Sequence, residues 1–402
     1  MNNLGYPGAW VVTFLLAMSC QPSSTETTTS SDTETTPATA ASFEASPQAV
    51  AERDVSPLEI GASAPDFDLP AADGQRYQLA DFADAKVLAI IFTCNHCPTA
   101  QAYEERIKAL VTDYQEQGVA VVAISPNSPL SLMYNELGYS DLGDTYEDMQ
   151  QAAADRNFNF PYLYDGDDHA VSLQYGPVAT PHAFVFDQKR TLQYVGRLDD
   201  SEKPGTGQGE DVRAAIDALL AGEAVPTATT KTFGCSVKWA WKDDYKEKVN
   251  EEWDNAPVDL QEIDEAGIAD LLKNDSEKLR LINVWATWCG PCVLEYPDFI
   301  EMQRMYGDRA FEFVSISADK PEQREKALAF LQKKHSALSN YIFAKDDNYA
   351  LIEAIDPEWQ GALPYTVLVA PGGERLYSRQ GTVDPFELRK TIVEHELMGR
   401  YY

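Results

Sequence analysis

The stretch Trp285-Ala286-Thr287-Trp288-Cys289-Gly290-Pro291-Cys292 decides the fold of the second half of this chain. The apolar run 279–285 predicts a buried strand, and residues 292–306 predict a helix. The two cysteines therefore lie where a strand becomes a helix. A helix N-terminus stabilises a thiolate through its free N–H groups and its dipole. We expect Cys289 to be the acidic nucleophile and Cys292 to be its resolving partner.

The same order of elements surrounds Cys94-Asn95-His96-Cys97-Pro98 in the first half of the chain. A buried strand precedes this motif, and a helix over 100–117 and a second buried strand follow it. By the same placement argument, Cys94 is predicted to be the nucleophile of this half, and Cys97 its resolving partner.

Further matching segments indicate an internal duplication. The matched segments are 123–126 with 315–318, 160–165 with 341–346, and 180–187 with 363–369. The chain is therefore predicted to be α/β, with two tandem domains that each hold a central mixed sheet flanked by helices. The predicted boundaries are a first domain over 58–241, a linker over 242–258 and a second domain over 259–402.

Composition limits the classes of function. The chain has 402 residues and 44% hydrophobic residues, enough for two sizeable cores. A net charge of −32 argues against nucleic acid and anionic membrane surfaces as direct partners. Four of the six cysteines form two Cys-x-x-Cys pairs, the spacing of a redox motif. Neither pair has the flanks of a zinc knuckle, so no metal is predicted.

The amino end carries a short apolar run over 9–18, which has the length of a signal-peptide core rather than of a membrane span. It ends just before Cys20 and resembles a bacterial lipoprotein signal over residues 1–20, which implies lipidation of Cys20. A soluble secreted form is the alternative. Residues 21–57 are rich in Ser and Thr and are predicted to be a disordered tether. The expected location is the bacterial cell envelope, facing the periplasm or the outside, with a lipid anchor in the membrane.

Both halves resemble known branches of the thioredoxin superfamily. Residues 282–292 with Glu295-Tyr296-Pro297 resemble the TlpA/ResA-like thiol reductases. Residues 58–241 resemble the AhpC/TSA redoxin group related to peroxiredoxins, through Cys94–Pro98, Phe160–Leu163, Ala179–Pro181 and Gly234–Trp239. The resemblance implies two thioredoxin-like folds and an extracytoplasmic thiol–disulfide oxidoreductase. Such an enzyme exchanges disulfides with protein thiols, takes electrons from an upstream membrane donor and needs no cofactor beyond its redox-active disulfides.

The resemblance also implies roles for residues outside the cysteine pairs. Pro181 and Pro364 occupy the positions of the cis-proline that faces the disulfide, with Thr180 and Leu363 before them offering backbone groups to a bound peptide. Glu295 matches an acidic residue near the disulfide of ResA-like reductases. It would handle protons with a pKa raised by burial, unless it simply faces solvent.

The dipeptides between the cysteines predict different reduction potentials for the two cysteine pairs. Gly290-Pro291 is the pair of reducing thioredoxins, whereas Asn95-His96 places an imidazole beside the nucleophile, as in oxidising relatives. A charged His96 would lower the pKa of Cys94. We therefore hypothesise that electrons flow from the second cysteine pair to the first.

Two features of the first half stay open. Cys235 is either an additional redox thiol that reaches Cys94 or Cys97, or a small buried apolar residue. Residues 130–158 have no counterpart in the second half and are predicted to be a helical insertion, either a packing helix or a lid over the site.

Two other functions fit the first half. A thiol peroxidase is suggested by Thr93 and by Cys97-Pro98-Thr99, which resemble the Thr-x-x-Cys-Pro-Thr pattern of peroxiredoxins. A copper chaperone of the SCO type, which is not an enzyme, is suggested by two cysteines with a distant histidine. Here Cys94, Cys97 and His182 would supply two thiolates and one imidazole.

Overall fold

The computed structural model describes residues 43–399, apart from the side chains of residues 243–245. Its strands are β1 (Asp68–Pro70), β2 (Arg76–Gln78), β3 (Val87–Phe92), β4 (Val119–Ser125), β5 (Tyr162–Tyr164), β6 (Ala179–Thr180), β7 (His182–Phe186), β8 (Leu192–Gly196), β9 (Cys235–Ser236), β10 (Gln261–Ile263), β11 (Leu279–Trp285), β12 (Phe311–Ser317), β13 (Ser339–Phe343), β14 (Tyr365–Val369) and β15 (Arg375–Gln380). Its α-helices are α1 (Pro98–Tyr114), α2 (Tyr146–Asp155), α3 (Ser172–Tyr175), α4 (Glu210–Ala221), α5 (Asp243–Asp254), α6 (Glu265–Lys273), α7 (Gly290–Tyr306), α8 (Arg324–Lys333), α9 (Asn348–Ile355) and α10 (Pro385–Glu394).

The first domain is built on a sheet of order β5-β4-β3-β7-β8. Strands β3, β4 and β5 are parallel, and β7 runs antiparallel to β3. Every residue of β3 is buried, because apolar layers cover both faces of the sheet. Successive residues of β3 alternate between those two layers, as the two-residue period of a strand requires.

The second domain repeats this order as β13-β12-β11-β14-β15, with β10 added at the edge beside β13. Again the first three of these strands are parallel and β14 is antiparallel to β11. The prediction of two tandem α/β folds with mixed central sheets is confirmed. Each cysteine pair lies where the central strand of its sheet, β3 or β11, leads into a helix.

The insertion (residues 130–158) is helical only in its last part, where α2 lies. Before α2 it forms short 3-10 turns and loops, and Leu132 and Leu137 are buried in the hydrophobic cluster of the second domain. The Tyr306 hydroxyl at the end of α7 donates to the Ser140 carbonyl at 2.8 Å. Helix α2 packs into the core of the first domain through Tyr146 and Met149, as the packing-helix alternative predicts. The segment before α2 joins the two domains.

We expect Leu137→Ala to lower the free energy of unfolding by about 2–4 kcal/mol, since it leaves a cavity where the domains meet. Leu130→Ala is the matched control, because Leu130 lies in the same insertion but is 40% exposed. It should change stability by no more than about 0.5 kcal/mol. Denaturant titration of the two variants measures both effects, and equal losses would show that Leu137 does not hold the domains together.

The tether ends earlier than the sequence composition predicts. Phe43 packs edge-to-face on Tyr146, with ring centroids 4.9 Å apart. The backbone N–H of Gln48 donates to the Asp167 carbonyl at 2.7 Å. The prediction of disorder is thus wrong for residues 43–57, because one aromatic side chain anchors a segment whose average composition is polar.

The other predictions about chain organisation concern the signal segment, the tether, the linker and the domain boundaries. The signal segment 1–20, Cys20 and the tether up to residue 42 lie outside the described residues. Much of the predicted linker over 242–258 is the helix α5, and the domain boundaries themselves stay predictions. None of the helices within residues 43–399 has both the length and the apolar character to cross a membrane.

Candidate active sites

The second cysteine pair lies at the start of α7, as predicted. Cys289 is the N-cap residue, and its sulfur accepts a hydrogen bond from the Cys292 backbone N–H at 3.2 Å. The two cysteines are joined as a disulfide. Since the helix N-terminus directs an N–H group at the Cys289 sulfur, the same contact would stabilise a thiolate there after reduction.

The loop that carries Cys289 is held by an aspartate that sequence reasoning missed. The Thr287 backbone N–H donates to Asp319 at 2.8 Å, and the Thr287 hydroxyl donates to the other carboxylate oxygen at 2.7 Å. Asp319 follows the end of β12 and is buried. Its position at the carboxyl end of a strand beside β11 was the available sequence signal, because the ends of parallel strands meet at one edge.

Glu295 is buried in α7, one turn beyond Cys292. Its carboxylate accepts from the Val383 backbone N–H at 3.1 Å and from the Asn283 amide at 3.4 Å. Burial is the largest influence and raises the pKa of Glu295 to about 7, despite these two hydrogen bonds. The shift has the direction that the resemblance implies, and the proton-handling role stays a prediction.

The raised pKa of Glu295 predicts a specific dependence of folding stability on pH. Between the ordinary value of 4.5 and about 7 the folded protein holds a proton that the unfolded chain has lost, so stability falls as pH rises through this range. We expect Glu295→Gln to match the native protein at pH 4.5 and to melt about 2–4 °C higher at pH 8. Thermal unfolding at both pH values measures this, and a gap independent of pH would contradict the assignment.

The surface around the second pair is apolar and open. Trp288, next to Cys289, is 60% exposed, and Leu294 is 80% exposed. The Leu363–Pro364 bond is cis, as the resemblance implies. Among the described residues, no backbone group hydrogen-bonds Leu363. A peptide could therefore pair with Leu363 beside the disulfide, and this binding role stays a prediction.

The first cysteine pair, Cys94 and Cys97, differs from the second pair in its position relative to the helix that follows it. Cys94 and Cys97 are both free thiols and both buried. Helix α1 begins at Pro98, so its N-cap is Cys97, the second cysteine of the pair, and not Cys94. The Cys94 sulfur lies 3.1 Å from the Thr180 hydroxyl, and the Cys97 sulfur lies 3.3 Å from the Thr180 carbonyl oxygen. The Thr180–Pro181 bond is cis.

In this reduced site the pKa directions differ from the expectation that Cys94 is the acidic thiol, and the choice of nucleophile stays a prediction. Burial, followed by its contact with Cys97, raises the pKa of Cys94 well above its ordinary value. Burial also acts to raise the pKa of Cys97. Hydrogen bonds from Cys235 and Cys94 and the charge of His96 outweigh that effect, so the pKa of Cys97 lies well below its ordinary value. These directions favour Cys97, at the helix start, as the thiolate of this group.

A buried ion pair supports that thiolate. His96 Nδ1 lies 2.6 Å from an oxygen of Asp144, and both residues are buried. Burial alone would lower the pKa of His96, but the Asp144 carboxylate raises it above its ordinary value. The pKa of Asp144 is lowered, because the His96 charge and several hydrogen bonds outweigh its burial. The raised pKa favours the charged form of His96, and that charge lowers the pKa of Cys97.

Asp144 was missed by sequence reasoning. It belongs to the insertion and accepts hydrogen bonds from the Asn95 backbone at 2.8 Å and from the Asn127 amide at 2.7 Å. No local spacing relates Asp144 to this motif, since its partner His96 lies 48 residues away in sequence. The insertion folds over the pair and brings the carboxylate to it.

The structure does not group His182 with Cys94 and Cys97, the ligand set suggested for copper. His182 is buried, its Nδ1 accepts from the Val178 backbone at 3.3 Å, and burial lowers its pKa to about 4. Among the described residues, one group of three potential metal ligands lies close together, and it comprises Cys94, His96 and Asp144. His182 is not in that group, because it starts β7 and packs on Phe184.

Comparison with known proteins fits this architecture. The AhpC/TSA family model matches residues 60–195, and the Redoxin family model matches residues 222–389. The chain is 29% identical to the thiol-disulfide oxidoreductase ResA of Oceanobacillus iheyensis over 75 residues, 19% of this chain and 33% of that one. It is 34% identical to a thioredoxin of Geodia cydonium over 76 residues, 18% of this chain and 72% of that one. It is 27% identical to the peroxiredoxin Bcp of Escherichia coli over 122 residues, 30% of this chain and 67% of that one.

The match thus spans only a third of ResA, whereas it spans most of the shorter thioredoxin. Two family models lie one after the other along the chain, and each falls on one mixed sheet with a cysteine pair at the end of its central strand. The chain belongs to the thioredoxin superfamily, with an AhpC/TSA-type region followed by a Redoxin-type region.

Proposed function

We propose that the protein is a thiol–disulfide oxidoreductase that exchanges disulfides with protein thiols at Cys289 and Cys292. The observation that carries this proposal is the Cys289 sulfur at the start of α7, with the Cys292 N–H directed at it and the exposed Trp288 beside it. Similarity to ResA and to a thioredoxin supports the same chemistry.

The reaction proceeds through a mixed disulfide. The Cys289 thiolate attacks one sulfur of a client disulfide, and the other client sulfur leaves as a thiolate. The Cys292 thiolate then attacks Cys289, which closes the Cys289–Cys292 disulfide and releases the second client sulfur. Glu295, with a pKa of about 7, accepts the proton that Cys292 must lose. A dithiol donor returns two electrons to the pair.

A second function is favoured for the first site by one observation. The acidic thiol is Cys97, which is followed by Pro98 and Thr99 as in peroxiredoxins, and it is closed off from solvent. A buried thiolate can meet a small peroxide more easily than a folded client protein. The AhpC/TSA match and the similarity to Bcp support a thiol peroxidase at this site.

The location and the direction of electron flow belong to the same proposal. The apolar run before Cys20 supports a lipid-anchored protein outside the cytoplasm, which receives electrons from a membrane donor. Recovery in the cytoplasmic fraction of cells would contradict this location.

Electrons would pass from the second cysteine pair to the first. Redox titration of the full chain with one pair at a time replaced by serine tests the order of the two potentials, and a reversed order would end this part of the proposal.

The trapping of a mixed disulfide tests the main activity. In Cys292→Ser the resolving sulfur is absent, so Cys289 should stay covalently bound to an oxidised test protein such as insulin. The expected result is an adduct on non-reducing gels, released by dithiothreitol, with Cys289 as the linked residue by mass spectrometry. Cys289→Ser/Cys292→Ser should form no adduct at this site. If Cys292→Ser captures no client, the proposed activity at this site is wrong.

A further inference from the structure

The groove beside Pro181 is already filled by the protein's own chain. Strand β9 pairs antiparallel with β6, so that Cys235 lies opposite Thr180 and Ser236 lies opposite Ala179. Thr180 immediately precedes the cis-proline. The backbone of Thr180 is the one that the family resemblance assigns to the binding of a client peptide.

The fit of this segment depends on a glycine. Gly234 has φ +129°, and a Cβ at this position would lie 2.2 Å from the Thr180 carbonyl oxygen. Every other residue type would therefore collide with the backbone of β6 as well as strain its own. The chain can approach Thr180 this closely only because Gly234 has no side chain.

The approach brings a third sulfur to the buried pair. Cys235 packs against the cluster formed by Cys94, Cys97 and Ala100, and it is partly exposed while both other cysteines are buried. A hydrogen bond to the Cys97 sulfur is the largest of the influences that raise the pKa of Cys235. Cys235 is thus the one cysteine of this group that contacts Cys97 and is also partly exposed to solvent.

The segment is pinned on the carboxyl side of Cys235. The Lys238 backbone N–H donates to the Asn127 side chain at 2.9 Å, and the Lys238 carbonyl accepts from the Ser128 N–H at 2.8 Å. The Ala240 N–H donates to His169 Nε2 at 2.9 Å. Asn127 also binds Asp144, so the residues that hold this segment and those that hold His96 are connected.

We propose that Gly234–Ser236 occupies the client groove of the first site as an internal substrate, and that Cys235 is the disulfide-exchange partner of Cys97. The inference rests on the proposed thiol–disulfide chemistry and deepens it. In the second domain the corresponding backbone of Leu363 has no such partner among the described residues, so that groove stays open to other proteins.

The exchange needs no added oxidant, because one disulfide breaks as another forms. Starting from a Cys94–Cys97 disulfide, the Cys235 thiolate attacks the Cys97 sulfur. The Cys97–Cys235 bond forms, the Cys94–Cys97 bond breaks, and the Cys94 thiolate takes up the proton that Cys235 has lost. An external thiolate can then attack the partly exposed Cys235 sulfur and release Cys97. Cys235 thereby connects a buried pair to thiols outside the protein.

Disulfide mapping of Cys94→Ser in the full chain tests the exchange partner. The variant is reduced, freed of reductant, oxidised with diamide, alkylated and digested without reduction. We expect a Cys97–Cys235 linked peptide in most chains. Recovery of Cys97 and Cys235 in alkylated form, in chains whose Cys289–Cys292 disulfide has closed, would overturn the proposal.

Occupation of the groove is tested by Gly234→Ala in the same background. The added Cβ should displace the segment, which would reduce the cross-link at least about tenfold and speed the alkylation of Cys97 by a similar factor. Gly222→Ala is the matched control, because Gly222 also has positive φ (+73°) but nothing lies within 4 Å of its added Cβ. An unchanged cross-link and unchanged protection of Cys97 in Gly234→Ala would show that the groove is not occupied in this way.

The cross-link results can be distinguished from a failure of the disulfide-reductase activity proposed for Cys289. Reduction of insulin depends on Cys289, whereas the cross-link depends on Cys97 and Cys235. A cross-link without reductase activity would reject the proposed function and keep the internal exchange. Reductase activity without a cross-link would keep the proposed function and reject the internal exchange.

Discussion

Replacement of Cys289 by serine is expected to slow the reduction of a protein disulfide by roughly 10³-fold or more, since a hydroxyl cannot replace the attacking thiolate. Cys289 is itself only 6% exposed, but Trp288 beside it is exposed and the backbone of Leu363 is unpaired among the described residues. We therefore expect a folded client to reach this site more easily than the first. Insulin reduction with dithiothreitol as electron donor measures the rate.

Cys97→Ser is the matched control, and it removes the acidic thiol of the other site. It should leave insulin reduction within about twofold of the native rate, because that thiol is buried beneath the protein's own chain. Peroxide consumption with dithiothreitol as donor should show the opposite dependence, with loss in Cys97→Ser and little change in Cys289→Ser, because dithiothreitol can reduce the first site directly through Cys235 and bypass the second pair. If Cys97→Ser abolished insulin reduction instead, the division of labour between the two sites would be wrong.

Asp144→Asn is expected to have the largest effect on the first site. Asp144 and His96 form a buried ion pair, and removal of one partner of such a pair costs about 3–5 kcal/mol of stability. Without the carboxylate, burial makes His96 neutral at pH 7, so the pKa of Cys97 should rise because it loses the nearby charge. The alkylation rate of Cys97 at pH 7, followed by peptide mass spectrometry, should therefore fall.

The loss of stability should depend on pH in a definite way. The lowered pKa of Asp144 contributes stability that is complete above its unfolded value of 3.8 and is lost in more acidic solution. The raised pKa of His96 contributes stability that is complete below its unfolded value of 6.5 and is lost as pH rises through its folded value. The difference between native protein and variant should be largest between about pH 4 and 6.5.

Asp148→Asn is the control for this prediction. Asp148 lies in the same insertion and is half-buried, but its carboxylate binds Thr145 and not His96. It should cost about 1 kcal/mol through the weakened start of α2 and leave Cys97 alkylation unchanged. Equal slowing of alkylation in both variants would mean that the insertion acts by general loosening and not through the His96 charge.

The sequence by itself determined the features that depend on neighbouring residues. A buried apolar run followed by Cys-x-x-Cys and a helical pattern is enough to locate β11, α7 and the strand-to-helix position of Cys289. The repeated order of elements predicted two mixed sheets, and the resemblance carried by short motifs implied the cis bonds before Pro181 and Pro364. These features follow from local periodicity, helix starts and the restricted geometry of proline.

Only the tertiary structure decided which sulfur of the first site is acidic and what surrounds it. Asp144, Asp319 and Cys235 reach their sites from strand ends and from an insertion, across separations that no periodic pattern records. His182 is not among the closely grouped potential metal ligands of the described residues, although the sequence places it beside Pro181. The physical reason is that a thiol pKa reports burial and the charges within a few ångströms, and those neighbours are brought together by folding and not by sequence.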